Sequence, residues 1–98
     1  MPKEPPTKVL FRVHQGEVLA LFPTMAGAVG QPSTCVCYAH VGQHSAADLH
    51  GVIYRSRPAL PAEYEGLALE LRRRGYVLDI RQRSTRADQS ERLKQLLR

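Results

Sequence analysis

Residues 9–22 read VLFRVHQGEVLALF, and their alternation decides the fold. Two apolar runs flank Gln15-Gly16, and glycine at a two-residue turn accepts the positive φ that a tight antiparallel hairpin requires. That turn sets His14 opposite Glu17, Val13 opposite Val18, Phe11 opposite Ala20 and Val9 opposite Phe22. The apolar members of these pairs share one face, which is therefore a core face. Leu10, Arg12, His14, Glu17, Leu19 and Leu21 share the other, a mixed face expected to be partly covered.

Outward from the hairpin, Pro23 to Pro32 holds Gly and Pro breakers and reads as a loop. Ser33 to Val41 alternates as a third strand, with Cys35, Cys37, Ala39 and Val41 on one side and Thr34, Val36, Tyr38 and His40 on the other. The first side is small and apolar, suited to lie beneath a helix; the second presents Tyr38 and His40 together. Gly42 to Gly51 is polar and irregular, with room for one helical turn at Ser45 to Leu49, and Val52 to Arg55 reads as a short strand. Pro61 to Arg74 is the clearest helix. Pro61 suits its first turn, and Tyr64, Leu67, Ala68 and Leu71 recur at helical spacing. Glu63 and Glu65 near the start and Arg72, Arg73 and Arg74 at the end match the helix dipole, and Gly75 ends the helix in a left-handed cap. Tyr76 to Arg83 is a strand. Asp88 to Leu97 is expected to form a short helix capped by Asp88.

These elements predict an α+β fold: a mainly antiparallel sheet of about four strands with one main helix on one face, in the order β-β-β-α-β-α. Residues 1–7, with Pro2, Pro5 and Pro6, form a proline-rich flexible lead, and residues 8–98 a single domain. The 98-residue chain is 43% hydrophobic and 23% charged, a composition that can bury a core and is unlike that of disordered chains. No apolar run approaches the roughly 20 residues of a membrane span, so no membrane partner is expected. The lead lacks the apolar stretch of a signal peptide, which makes the cytoplasm the expected compartment. Cys35 and Cys37 stand two apart on one side of a strand, where bridging them would strain the ring, and they read as reduced thiols.

The net charge of +5 is unevenly placed: from Arg72 to Arg98 there are nine Lys or Arg against three Asp or Glu, while the first 71 residues hold five against six. A basic C-terminal third of this kind attracts an anionic partner, nucleic acid being one such partner, or simply forms a solvated face. Arg72, Arg73, Arg74, Arg81, Arg83 and Arg86 are the candidate phosphate contacts, arranged as one rim where helix end and strand meet. Tyr38, Tyr54 and Tyr76 are the candidates for stacking on unpaired bases. No helix-turn-helix, zinc-finger or RNP signature accompanies them.

The stretch from Val18 to Pro23 (VLALFP), followed by Cys35 to Asp48 (CVCYAHVGQHSAAD), resembles a group of small uncharacterised bacterial proteins. Their pattern is an ALFP strand, then C-x-S-Y-x-H-x-G-Q-H, then a helix and a strand. The resemblance spans most of residues 9–83 and implies a shared fold without implying an activity. Cys37 stands here where the pattern carries Ser, which weakens any role that needs two thiolates.

The segment that carries the resemblance also carries the densest chemistry. Tyr38, His40, Gln43 and His44 form a candidate ligand-binding surface, a flat ring beside several donors and acceptors, with Gly42 allowing close backbone approach. The bland alternative is that these groups satisfy loop carbonyls at the end of the sheet. Cys35, Cys37, His40, His44 and His50 are ligand types that zinc favours, but Cys-x-Cys is not the usual knuckle spacing, and His40 points away from both thiols. Ser45 or a cysteine, with His40 or His44 and Asp48, contains the residue types of a nucleophilic relay, without the strand-nucleophile-helix elbow. The leading expectation is thus a non-catalytic binding or regulatory module. The alternative is a small enzyme or zinc protein built on Cys35, His40, His44 and Asp48. No cofactor motif is read. Leu93, Leu96 and Leu97 make a short apolar stripe that docks on its own domain or on a second copy, giving a homodimer through the C-terminal helix.

Overall fold

The computed structural model describes residues 6–28, 31, 33–39 and 43–96, with the side chains of Gln43 and His44 outside that description. The hairpin of strands β1 (Thr7–His14) and β2 (Glu17–Ala26) has the expected register: Phe11 pairs with Ala20, Val13 with Val18 and His14 with Glu17. Gln15 and Gly16 both take positive φ, 52° and 79°, the backbone that matches a two-residue turn to strand twist.

Strand β3 (Thr34–Ala39) pairs antiparallel with β2 and lies beside a fourth strand, β4 (Gln43–Asp48). The β2–β3 register slips between Phe22 and Ala26, spanning Pro23, which has no N–H to give to the ladder. Helix α1 (Leu49–Arg55) follows β4 directly, and the two-residue β5 (Arg57–Pro58) pairs with β1. Helix α2 (Pro61–Arg73) precedes β6 (Leu78–Arg81), which runs parallel to β1, and helix α3 (Arg86–Leu96) ends the described chain. The sheet order is β4-β3-β2-β1, with β5 and β6 sharing the outer edge of β1.

The α+β class and the mainly antiparallel sheet hold, but among the described residues the sheet has six strands rather than about four, and there are three helices. Several sequence expectations are corrected. Pro23 to Ala26, read as the start of a loop, continue β2. The segment Gly42 to Gly51, read as irregular, contains β4, whose Gln-His-Ser-Ala-Ala-Asp sequence has no β-branched residue to announce it. Val52 to Arg55, read as a strand, lies in α1; its Val, Ile and Tyr bear the strand signal although Val52 and Ile53 pack against a core. Helix α3 starts two residues before Asp88, and Thr85 and Asp88 cap it reciprocally: the Asp88 N–H donates to Thr85 Oγ1 (3.2 Å) and the Thr85 N–H to Asp88 Oδ2 (2.9 Å).

The sheet is covered on both faces. On one, Val9, Phe11, Ala20, Phe22 and Tyr38 meet Leu67, Ala68 and Leu71 of α2. Phe11 stacks on Tyr64 with centroids 4.6 Å apart, and Phe22 on Tyr76 at 5.3 Å. On the other face Leu10, Leu21, Cys35 and Cys37 meet Leu49 of α1, with Val52 and Ile53 beside it. The alternation along residues 34–39 is therefore as expected, but the cover is reversed: the thiols lie under the short α1, and the phenol of Tyr38 lies under the main helix. Gly75, at φ 101°, ends α2 as expected and turns the chain back toward β6.

Charged side chains do much of the joining on the thiol face. Arg12 is buried, and its guanidinium donates to the carbonyls of Ile53 (2.9 Å) and Ser56 (2.8 Å) at the end of α1. Lys8 reaches Asp88 at 2.8 Å, and the buried Arg92 donates to the Pro23 carbonyl at 2.9 Å, so α3 is tied to both strands of the hairpin. The side-chain amide of Gln95 accepts from the Ala26 N–H and donates to the Thr24 carbonyl, satisfying backbone exposed by the register slip.

Candidate functional site

Tyr38 is the pivot of the segment singled out above. It sits on β3 between β2 and β4, opposite Ala20 on one side and opposite the backbone of His44 on the other. Its ring is fully buried, and its hydroxyl donates a short hydrogen bond to Glu70 Oε2 on α2. The Arg74 guanidinium lies over the ring, 5.5 Å from its centroid. Burial first, and the carboxylate of Glu70 second, push the Tyr38 hydroxyl above its ordinary pKa, against the lowering influence of Arg74. A neutral phenol that donates to a carboxylate is thus the stable form. The ring is a core element capped by α2, and a flat platform open to solvent is not what the fold makes of it. Tyr38 and Glu70 come together because Glu70 and Arg74 lie one helical turn apart, on the flank of the Leu67, Ala68 and Leu71 stripe.

Of the other candidates in this segment, His40 lies outside the described residues, and for Gln43 and His44 only the backbone in β4 is described. His50 is exposed on α1. Ser45 pairs opposite Cys37 and Asp48 opposite Thr34, which puts Ser45 and Asp48 on opposite faces of the sheet. Both cysteines are free and buried. Burial pushes the Cys35 thiol up to about 11 against the opposing field of Arg92. Burial and then Glu17 also raise Cys37, which a hydrogen bond with Ser45 partly offsets. Thiols held protonated in this way are poor nucleophiles and poor metal ligands near neutral pH. Among the described residues no three His, Cys, Asp or Glu side chains gather as a metal site would need.

The arginines do not form one rim. Arg72, Arg73 and Arg74 lie at the C-terminal end of α2, all with exposed side chains. Strand β6 then runs back, so Arg81 reaches the opposite end of the helix, where it lines a cleft of about 290 Å³ with Leu60, Pro61 and Tyr64. Thirteen helical residues separate those ends by roughly 20 Å. Arg81 is also paired with Asp79 at 2.9 Å, whereas Arg72 and Arg73 have no ion pair among the described residues. Arg83 and Arg86 are exposed beyond β6, and Arg86 starts α3. Of the stacking candidates, Tyr38 is buried and Tyr76 packs on Phe22; Tyr54 is 90% exposed, but it stands on α1, across the sheet from α2.

No protein-family model, curated protein or solved structure matches the chain. Sequence reasoning missed Glu70 as the partner of Tyr38, and Asp88 and Arg92 as buried groups. Only the first left a signal, the Glu70 and Arg74 pair at helical spacing beside an apolar stripe.

Proposed function

We propose that this chain is a non-catalytic binding module that contacts an anionic partner through arginines of its C-terminal third, with nucleic acid as the partner to test first. One observation carries the reading. Arg72 and Arg73 stand exposed on the last turn of α2 without an ion pair among the described residues, while Arg81 is already matched by Asp79. The helix dipole favours cations at this end without occupying their hydrogen-bond donors. Guanidinium groups without a carboxylate partner keep their donors for phosphate or carboxylate oxygens. With Tyr38 and Tyr76 packed inside, the contact is to the phosphate backbone and is blind to base sequence.

The experiment is a salt titration of binding to a short single-stranded oligonucleotide, followed by fluorescence anisotropy. The double substitution Arg72→Ala with Arg73→Ala should shrink the slope of log K against log salt by about 1.4, the loss of two phosphate contacts on a single strand. Arg81→Ala should change it less. An unchanged slope in the double variant would remove α2 as the contact.

A further inference from the structure

We infer that the outer edge of β4 is a self-association surface, on which a second copy of this chain adds its own β4 in antiparallel orientation. The two ends of the sheet differ in how they are finished. At one, β1 is covered by β5 and β6, which are two and four residues long and carry the charged Arg57, Asp79 and Arg81. Short strands and charged side chains are the usual means of discouraging edge pairing. At the other, β4 makes six consecutive pairs with β3 without a bulge, and among the described residues no strand lies beyond it. It contains no Lys, Arg, Pro or Gly, and its middle residues, Ser45 and Ala46, are small and exposed. Its outward N–H and C=O groups are a template for another strand.

Two features favour a second copy as the occupant. The first is charge. A chain of net charge +5 repels itself, but neither β3 nor β4 holds any of its fourteen Lys and Arg residues, so two copies meeting at this edge bring none of these strands' cations together. The second is register. A two-fold axis perpendicular to the sheet keeps like faces together, so residues pair only with residues of the same parity. An axis at Ala46 sets Ala46 against its own copy, Ser45 against Ala47, and the His44 and Asp48 positions against each other on both sides. Small residues then meet at the centre. The α2 layer and the thiol-face layer each continue across the junction.

About five residue pairs bury less than the ~1,000 Å² that a stable interface needs, so the dimer is weak and forms at high concentration. Sedimentation equilibrium from about 1 μM to about 1 mM should show a reversible monomer–dimer transition. Ala46→Lys places two ammonium groups against each other at the axis and should weaken the dimer at least tenfold (~1.4 kcal/mol) while thermal unfolding at low concentration stays cooperative. Amide exchange in the unmodified chain gives a second reading: residues 44–48 should slow as concentration rises. A monomer throughout the range, an Ala46→Lys chain that dimerises as before, or exchange in β4 that ignores concentration would each overturn the inference. The first of these outcomes would leave the edge to a strand from another protein.

Discussion

The two faces of this sheet are held in different ways. Under α2 the contact is apolar and aromatic: Phe11 on Tyr64, Phe22 on Tyr76, with Leu67, Ala68 and Leu71 filling between them. On the opposite face the apolar contribution is smaller, and charged side chains span it: Arg12 to the end of α1, Lys8 to Asp88 and Arg92 to Pro23. The first face gains stability mainly in proportion to the area it hides, with the Tyr38–Glu70 hydrogen bond as its polar contact to α2. The second gains little net energy from each charged tether, because desolvation offsets attraction, but a broken tether leaves a buried charge behind. Burial of Asp88 works to raise its pKa, yet the Lys8 ammonium and the Thr85 hydrogen bonds outweigh it and hold the carboxyl below its ordinary value.

The largest expected effect tests the apolar face. Phe22→Ala removes a fully buried ring from against Tyr76 and should cost about 3–5 kcal/mol in denaturant unfolding. A cost under about 1 kcal/mol would mean that face is not the main core. Next comes the charged face. Asp88→Ala removes the α3 cap and the partner of the part-exposed Lys8 and should cost about 2 kcal/mol; Lys8→Met leaves the buried Asp88 carboxylate without its cation and should cost about 2–3 kcal/mol, and the double variant less than the two combined. The carboxyl of Asp88 has a depressed folded pKa, so its contribution is full above the ordinary value of 3.8 and is lost as pH falls through the folded value; Asp88→Ala should remove that part of acid unfolding. The smallest effect concerns the thiols. Cys35 is raised from 9.0 to about 11, so its contribution is full below pH 9 and is lost as pH rises toward 11. Relative to Cys35→Ala, the unmodified chain should lose on the order of 1–2 kcal/mol across that range, measured as the difference in unfolding free energy.

The aromatic face was the legible one. Its hairpin register follows from Gln15-Gly16 and strict alternation, and the stripe of α2 follows from the spacing of Tyr64, Leu67, Ala68 and Leu71. The charged face was not. Arg12, Asp88 and Arg92 are residues that a sequence places in solvent, and only contacts spanning 44, 80 and 69 residues bring them inside. Strand β4 lacked β-branched residues, and α1 carried them, so local preference inverted both. The candidate site fell between. Alternation correctly separated Tyr38 from the thiols, but parity names two faces without saying which layer covers each.

Strand β1 is among the first parts of the described chain to be made, yet it is finished by the last. Its outer edge receives residues 57–58 and then 78–81, and its Lys8 waits for Asp88. At translation rates of about 5–20 residues per second, several seconds pass between the emergence of the hairpin and the arrival of its neighbours. During that time a strand that is interior in the mature sheet is open on one side, a template for whichever segment reaches it first.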